Sequence, residues 1–440
     1  MDVSRVNTPI STDLLQHAHA FLRHYQHVNT FVVALSGGTD SMALVHLMSK
    51  MQKHFGYSLL AVHVNHGLHA HADQWQGHCE NFCQSINVPL EVERVTVERR
   101  GKGLEAEART LRYQALHKHL TPGSALLTAH HRADQAETVL LNLFRGAGVA
   151  GLAAMPIEKR FGDNLHLRPL LDVNKRRICD YVAAEMLVPV EDPSNQDVTF
   201  SRNFVRHQLM PLLWQRWPRL SETLFGTAAR MQEASELLDN LASDDLAEIV
   251  GQQQQLSLNV FREWSFARQK NALRYWLSQE YLIPTSKQLD ALINDCINAG
   301  PEALPEFLIG EHSIRRYRDT LYLLTPEVAA QVSPCSSLWS LSKVFEIESL
   351  KLTLDPSFMV GKVAGADGRP LGAADTVEVR FRRGGELLRL REGGPSKTLK
   401  NLFQERGLPP WQRDKVPLIY HQEKLVAVWG FTVDGIKFHG

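Results

Sequence analysis

Two hydrophobic patterns alternate along the first third of the chain. Short runs of aliphatic and β-branched residues predict buried strands, and the stretches between them carry apolar residues at three-to-four spacing, which predicts amphipathic helices. The predicted strands lie at residues 30–35, 58–64, 90–97 and 124–128, and the predicted helices lie at residues 41–54, 70–86, 104–120 and 133–145. This alternation predicts an α/β domain with a doubly wound parallel sheet, which binds ligands beyond the carboxyl ends of its strands.

The hydrophobic pattern changes twice in the rest of the chain. Long helical patterns follow residue 220, strand-like alternation returns at residues 310–324, and from about residue 344 the chain has short predicted strands separated by glycine turns. A length of 440 residues agrees with several domains. We therefore predict an α/β catalytic domain over residues 1–218, a helical domain over residues 219–340, and a small α+β or β-rich domain over residues 344–440.

Composition is that of an ordinary soluble protein, with 44% apolar and 22% charged residues and no run long enough to cross a membrane. The N-terminal residues lack the pattern of a secretion signal, so the predicted location is the cytoplasm. The cysteines are scattered and odd in number, which is typical of a reducing compartment: Cys79, Cys83, Cys179, Cys296 and Cys335. Lys and Arg balance Asp and Glu at 48 each, so a nucleic-acid partner would need local basic patches.

The clearest chemical motif follows the first predicted strand, where S-G-G-T-D-S precedes a predicted helix. Adjacent glycines let main-chain N–H groups approach an anion, and the helix N-terminus adds unpaired N–H groups. The loop is neither a Walker motif nor a dinucleotide-binding motif. It therefore predicts a phosphate cradle formed by Ser36, Gly37, Gly38, Thr39, Asp40 and Ser41. Because Asp40 would repel phosphate without a cation between them, we predict that it helps to bind Mg²⁺.

This loop resembles the S-G-G-x-D-S signature of the N-type ATP pyrophosphatases, the PP-loop family. Further motifs resemble the tRNA(Ile)-lysidine synthases. In the first domain these are A-V-H-V-N-H-G-L at 61–68, E-A-E-A-R at 105–109, T-A-H-H at 128–131, D-Q-A-E-T at 134–138, R-G-A-G at 145–148, R-P-L-L at 168–171 and D-P-S-N at 192–195. In the last domain they are R-R-G-G-E at 382–386, K-N-L-F at 400–403 and P-P-W-Q-R at 409–413. The resemblance is thinnest between residues 220 and 370.

The resemblance implies an enzyme that uses ATP and Mg²⁺ to modify a tRNA(Ile) with a CAU anticodon. Such enzymes adenylate the wobble cytidine at its 2-carbonyl oxygen, and the ε-amine of free L-lysine then displaces AMP. The product, lysidine, changes the codon that is read from AUG to AUA. Oligomeric state does not follow from the resemblance, with a homodimer as one alternative.

The resemblance also implies roles for single residues. Asp40 and the loop would stabilise the leaving pyrophosphate, and Arg112 or Arg109 would neutralise phosphate charge. Asp134 and Glu137 are three residues apart on one predicted helix, so they could hold the ammonium group of lysine together. His130 or His131 would act as general base, and His130 is the preferred candidate.

Three histidines and two departures from the family pattern qualify this interpretation. His63, His66 and His69 repeat every three residues, but they run from a strand into a loop, which favours adenosine contact or a structural role over zinc. The family commonly has a second aspartate where this chain has Ala133, and often an arginine where it has His69. These departures concern metal ligation and leave the loop and the Asp134/Glu137 pair in place.

Two basic stretches are candidates for binding the tRNA. Residues 376–424 carry eleven Lys or Arg against six Asp or Glu, and Phe403, Trp411 and Tyr420 among them could stack on RNA bases. The predicted contacts there are Arg382, Arg383, Lys397, Lys400 and Arg413. A second stripe near the end of the first domain contains Arg202, Arg206, Arg216 and Arg219.

Two alternatives remain open from the sequence. One is another enzyme with the same loop, such as a tRNA thiolase, an NAD synthetase or an asparagine synthetase. Thiolases need paired cysteines, and Cys79 and Cys83 are isolated and wrongly spaced for that purpose. The other is a tRNA-binding protein that has lost catalysis, for which Ala133 is the one hint.

Overall fold

The computed structural model describes residues 10–67, 69–96, 104–251, 255–300, 303–329, 336–389, 396–430, 432–433 and 436–437. The chain divides into two compact units, Met1–Leu238 and Asp239–Gly440. Leu68 of the predicted family motif, Val97 at the end of the third predicted strand, and Cys335 lie outside the described residues. The division into three domains stays a prediction.

The first unit contains strands and helices that alternate from residue 30 onward. Its strands are β1 (Thr30–Ala34), β2 (Ser58–Asn65), β3 (Leu90–Arg94), β4 (Ser124–Leu127), β5 (Glu158–Phe161) and β6 (Asn164–Leu167). Its helices are α1 (Ile10–Leu22), α2 (Thr39–Phe55), α3 (Ala72–Ser85), α4 (Leu104–His117), α5 (Arg132–Phe144), α6 (Val149–Leu152), α7 (Lys175–Ala184), α8 (Ser201–Phe204) and α9 (Met210–Arg216). A 3₁₀ turn (Pro193–Gln196) and a π-helical turn (Val205–Leu209) flank α8, and α10 (Leu220–Ala247) follows.

The six strands form one sheet in the order β3-β2-β1-β4-β6-β5. Every neighbouring pair is parallel except β5 and β6, which are antiparallel. The predicted doubly wound α/β fold is therefore confirmed. Alternate residues of β1 face opposite sides, so Phe31 and Val33 pack in one core while Val32 packs in another with Leu126.

The hairpin formed by β5 and β6 is absent from the sequence prediction. The sequence of β5 is E-K-R-F, and its first three residues are exposed. An edge strand with charged residues has little hydrophobic periodicity, although it pairs well with its neighbour and resists pairing with other chains. The hydrophobic pattern of the sequence therefore does not predict this strand.

The strand order places a ligand crevice at β1 and β4. The chain runs outward from β1 through β2 to β3 and then returns to the other side of β1 as β4. Such a reversal opens a crevice beyond the carboxyl ends of the two central strands. The loop after β1 and the residues between β4 and α5 both lie at this end of the sheet.

The second unit contains two four-stranded antiparallel sheets, β7-β10-β9-β8 and β11-β14-β17-β18. Its strands are β7 (Gln255–Ser257), β8 (Glu306–Ile309), β9 (His312–Tyr317), β10 (Thr320–Leu324), β11 (Ser337–Ser340), β12 (Phe345–Ile347), β13 (Leu352–Leu354), β14 (Thr376–Arg380), β15 (Leu387–Arg389), β16 (Ser396–Thr398), β17 (Leu418–His421), β18 (Lys424–Val428), β19 (Thr432–Val433) and β20 (Ile436–Lys437). Its helices are α11 (Leu258–Phe261), α12 (Phe266–Ser278), α13 (Ser286–Ala291), α14 (Pro326–Ala329), α15 (Leu399–Glu405) and α16 (Pro410–Arg413), and a π-helical turn (Leu292–Ile297) continues α13. Short 3₁₀ turns lie at Glu348–Leu350 and Pro356–Phe358.

Each of the two four-stranded sheets has its own core. Helix α12 packs on the first sheet around Phe261 and Trp276, and helix α15 packs on the second around Trp339 and Phe403. The predicted helical and strand-rich regions are confirmed, with the predicted strand-like stretch at 310–324 forming β9 and β10. None of the helices in the described parts of the chain combines the length and apolar character that crossing a membrane requires.

Candidate active site

The loop after β1 has the backbone of an anion cradle. Gly37 has a φ of 83°, and a Cβ atom built on it would lie 3.2 Å from Cys79 Sγ. Both its conformation and its surroundings therefore favour glycine at this position. Gly38 is the N-cap of α2 and supplies no side-chain cap. The first N–H groups of α2 are thus left for a ligand.

Two loop hydroxyls hold the loop in shape. Ser41 Oγ donates to Gly38 O at 3.0 Å and accepts from Ser36 N at 3.2 Å. Ser36 Oγ lies 3.1 Å from Ser41 Oγ. Because Ser41 is buried and its proton is used within the loop, the backbone N–H groups are the main donors left for phosphate.

Asp40 lies in the first turn of α2 and has a cationic partner that sequence reasoning missed. Lys175 Nζ, at the start of α7, is 2.6 Å from Asp40 Oδ1. His131 Nε2 is 3.7 Å from Asp40 Oδ2. The lysine is 135 residues away in sequence, so no local motif connects it with the loop.

His131 begins helix α5 on the opposite side of the crevice. Its Nδ1 accepts a hydrogen bond from Ala133 N at 3.2 Å, and its Nε2 faces Asp40. Asp134 Oδ2 accepts from His131 N at 3.0 Å and completes the cap. Burial opposes the charge of Asp134, but His131, Arg202 and His130 lower the pKa of Asp134 to about 2.

The two predicted lysine-binding carboxylates are paired with two arginines. Glu137 accepts from Arg202 Nε at 3.0 Å and from Arg206 at 2.7 and 2.9 Å. Asp134 Oδ1 accepts from Arg206 at 2.8 Å and from Arg202 at 3.3 Å. Burial opposes the charge of Arg206, whereas Glu137 and Asp134 raise its pKa. Both arginines, predicted as tRNA contacts, are therefore parts of the site, because buried carboxylates require charged partners.

His130 is connected to three buried polar residues. Its Nδ1 is 2.9 Å from Thr128 Oγ1, and Thr128 Oγ1 is 2.8 Å from His166 Nε2. Arg168 Nη2 is 3.3 Å from His166 Nδ1. Burial and positively charged neighbours lower the pKa of both His130 and His166 to about 3, so both rings are neutral at pH 7.

Helix α4 supplies the two arginines predicted to neutralise phosphate. Arg112 lies near the end of β2, where burial first and then the charge of Arg112 lower the pKa of His66. Arg109 is exposed and lies 5.1 Å from the ring of Tyr113. It lines an open cavity of about 410 Å³ with Tyr113, His117 and Phe161.

The three histidines of the 63–69 stretch have separate environments. His63 is buried and its Nδ1 lies 2.9 Å from Leu35 O, within the sheet. His69 stacks on Trp75 at 4.8 Å between ring centroids. Among the residues that the structure describes, no three His, Cys, Asp or Glu side chains are grouped as metal ligands.

The predicted tRNA contacts of the second unit differ in accessibility. Arg413 is buried, and it donates to Tyr317 Oη at 3.1 Å and to Leu408 O at 2.9 Å. Lys397 pairs with Glu405 at 2.8 Å. The Arg413 side chain is thus used for contacts inside its unit, whereas the Lys397 ammonium group is paired with a carboxylate.

Of the remaining predicted contacts, Arg382 is half-buried and the other two lie at the surface. Arg382 is 3.5 Å from Asp414, and Arg383 and Lys400 are exposed. Two of the aromatic residues predicted to stack on RNA bases contact other side chains of the second unit. Phe403 is fully buried in the core, and the Trp411 ring lies 5.2 Å from that of Tyr322.

Comparison with known proteins agrees with this geometry. Three family models match: a PP-loop domain at residues 10–213, a TilS substrate binding domain at residues 256–322 and a TilS substrate C-terminal domain at residues 377–437. The chain is 38% identical to the tRNA(Ile)-lysidine synthase of Coxiella burnetii, over 94% of this chain and 91% of that protein. It is 39% identical to that of Escherichia coli O157:H7, over 92% and 93%, and 40% identical to that of Shigella flexneri, over 91% and 92%. The chain therefore belongs to the tRNA(Ile)-lysidine synthase family.

Proposed function

We propose that this chain ligates L-lysine to position 2 of the wobble cytidine of a tRNA(Ile) with a CAU anticodon. It uses ATP to activate the cytidine and yields lysidine, AMP and pyrophosphate, which changes the codon that is read from AUG to AUA. One observation carries the proposal: the glycine loop and the Asp134/Glu137 cluster meet at the crevice between β1 and β4, in a chain that matches these synthases over nearly its full length.

Adenylation releases pyrophosphate, and the loop is suited to stabilise it. The N–H groups of the first turn of α2 and the Lys175 ammonium provide fixed positive potential where negative charge develops. Arg112 and Arg109 of α4 are proposed to bind phosphate oxygens as planar donors. Three helices, α2, α4 and α7, supply these groups.

The residues at Asp40 fit a hard cation. Asp40 Oδ1 is bound by Lys175, while Oδ2 has a longer contact of 3.7 Å to His131. Mg²⁺ prefers one or two carboxylate oxygens together with phosphate oxygens, which matches this half-exposed carboxylate beside a phosphate cradle. When bound there, Mg²⁺ would neutralise the triphosphate.

Lysine recognition is proposed at Asp134 and Glu137, as the sequence indicates. Both carboxylates already accept hydrogen bonds from Arg202 and Arg206, so an incoming ammonium group has to replace one of them. The contact from Arg202 to Asp134 is the longest of the set at 3.3 Å, which makes Arg202 the residue that turns away. Arg206 would then stay and keep Glu137 neutralised.

We propose that the second unit binds the tRNA through its exposed basic residues. Arg383 and Lys400 are accessible, and the ion pairs of Arg382 and Lys397 each have an exposed carboxylate partner, so phosphate could replace it. Location in the cytoplasm and the oligomeric state stay predictions.

The neighbouring cysteines Cys79 and Cys83 disfavour a thiolase reaction. Burial raises the pKa of both Cys79 and Cys83 to about 12. Thiol chemistry requires the thiolate, which these two residues do not supply at neutral pH.

The test combines the protein with ATP, Mg²⁺, labelled L-lysine and a CAU-anticodon tRNA(Ile) transcript. Label should enter the RNA with one AMP and one pyrophosphate per lysidine, and a transcript with uridine at the wobble position should accept none. ATP turnover on another acceptor would support a different enzyme of this loop class. Transcript binding without ATP turnover would support the RNA-binding alternative.

A further inference from the structure

A chain of hydrogen bonds runs from Arg168 to His130 across the end of the sheet. It passes through His166, on β6, and Thr128, just after β4, with steps of 3.3, 2.8 and 2.9 Å. Thr128, His166 and Arg168 are each less than 8% exposed, whereas His130 is half-buried. The four residues belong to the family motifs T-A-H-H and R-P-L-L and to the unpredicted strand β6.

Chemistry fixes the direction of the first two bonds. A guanidinium has donors only, so Arg168 Nη2 donates and His166 Nδ1 accepts. His166 is neutral because burial, followed by the charge of Arg168, lowers its pKa to about 3. The proton of its ring is therefore on Nε2, and it is donated to Thr128 Oγ1.

The direction of the last bond follows from the hydroxyl of Thr128. A hydroxyl has one proton, and among the described residues Thr128 Oγ1 has two partners, the rings of His166 and His130. Since it accepts from His166, its own proton is satisfied only by donation to His130 Nδ1. The opposite arrangement would leave a buried hydroxyl proton unpaired, which disfavours it by about tenfold to a hundredfold.

We propose that Arg168, acting through His166 and Thr128, holds His130 in the neutral tautomer that carries its proton on Nε2. His130 then meets the substrate as a hydrogen-bond donor to an oxygen atom, and not as a general base. Arg168, His166 and Thr128 are positioning residues. The identity of the acceptor rests on the proposed function, in which phosphate and the cytidine oxygen are available. The tautomer of His130 does not depend on the proposed function.

The surroundings of His130 agree with a donor. Asp134, Arg168, Arg202 and Arg109 act electrostatically on its ring, so it lies among the charged groups of the site. A neutral N–H group adds a donor without adding a charge next to the arginines. An imidazolium would repel Arg109 and Arg202.

The tautomer is measured directly by long-range ¹H–¹⁵N correlation on the full-length protein with ¹⁵N-labelled histidine. Signals are assigned with the His130→Gln and His166→Gln variants. At neutral pH both rings should be protonated on Nε2. A proton on Nδ1 of His130 in the unaltered protein would overturn the proposal, whether or not the protein makes lysidine.

Variants of the chain test the transmission. Thr128→Ser keeps the hydroxyl and should keep the tautomer, whereas Thr128→Val and Arg168→Met should each give a mixture of tautomers at His130. Arg316→Met removes a buried arginine of the second unit and should leave His130 unchanged. An unmixed Nε2 tautomer in a folded Thr128→Val protein would refute the relay.

Kinetics separates positioning from stability. With the proposed substrates, Thr128→Val should lower kcat by about tenfold or more with little change in the KM for ATP or lysine, and Thr128→Ser should restore most of the rate. An unchanged kcat in Thr128→Val, together with a changed tautomer, would show that the orientation of His130 does not matter for turnover. Should Arg168→Met fail to fold, the spectrum of the unaltered protein and the Thr128 pair still decide the question.

Discussion

Ion pairs of this chain lie at very different depths, as one pair from each unit shows. Glu137 in the first unit is 2% exposed and is bound by two arginines. The pair of Lys397 and Glu405 in the second unit is at the surface, where the two side chains are 39% and 54% exposed. Removing one partner of a buried ion pair leaves an unpaired charge that water does not solvate. At the surface, water replaces the missing partner.

This difference changes what an arginine can do. Arg202 and Arg206 are bound by the buried carboxylates of Asp134 and Glu137, and their predicted contact with tRNA stays a prediction. Arg383 and Lys400 are exposed, so their charges are available to a polyanion such as RNA. A count of basic residues along the sequence therefore does not separate arginines paired with buried carboxylates from exposed ones.

The largest expected effect is on catalysis, from Asp40→Ala. Loss of this carboxylate removes the partner of Lys175 and the proposed cation ligand, so adenylation should fall by about a hundredfold to a thousandfold. Pyrophosphate release is the measurement, with tRNA binding expected to remain. Asp180→Ala, which removes an exposed carboxylate of α7, is the control and should be neutral. Normal turnover of Asp40→Ala would contradict the assigned role.

The comparison of depths is tested directly by stability. Glu137→Gln should lower the free energy of unfolding by about 3 kcal/mol, because Arg202 and Arg206 lose one of their two buried counter-charges and keep only Asp134. Glu405→Gln should change it by less than about 1 kcal/mol, since Lys397 is solvated without its partner. Urea denaturation of both variants measures the two values. Equal losses of unfolding free energy in the two variants would show that burial does not determine how much an ion pair stabilises this protein.

The sequence predicts those features that depend on neighbouring residues, and it does not predict those that depend on residues far apart in the chain. Strands β1, β2, β3 and β4 have apolar runs, and the phosphate loop is contiguous, so both follow from local pattern. The charged strand β5 does not, because its pairing comes from backbone hydrogen bonds to β6.

The site outside the loop depends on contacts between distant residues. Lys175 meets Asp40 across 135 positions, and Arg202 reaches Glu137 across 65. Sequence pattern also does not distinguish a buried arginine such as Arg413 from an exposed one such as Arg383. Both have the same chemistry, and only packing separates them.

A smaller effect is expected in acid. The pKa of Asp134 falls from 3.8 to about 2 on folding, against the effect of burial, because of His131, Arg202 and His130. A lowered folded pKa contributes stability above pH 4, and this contribution is lost as the pH falls toward 2. Asp134→Asn should therefore unfold with a weaker dependence on pH between 4 and 2 than the unaltered protein. If the free energy of unfolding depends on pH equally in the two proteins, Asp134 does not make this contribution.

The smallest expected effect concerns RNA affinity in the second unit. Replacing Arg383 and Lys400 with alanine removes two exposed charges, so tRNA affinity should fall several-fold and the slope of its salt dependence should decrease by about two. Filter binding over a range of salt concentrations measures both quantities. An unchanged slope would place the RNA on another surface.

Arg413→Ala provides the matched comparison for that experiment, because the same kind of side chain is removed from the interior. Its guanidinium bonds Tyr317 and Leu408 within the second unit, so the loss should appear as a lower free energy of unfolding. The salt slope of the folded variant should stay near that of the unaltered protein, since a buried arginine releases no counterions from RNA. If Arg413→Ala lowers the slope as Arg383 and Lys400 do, burial is not what separates structural arginines from RNA-binding ones in this unit.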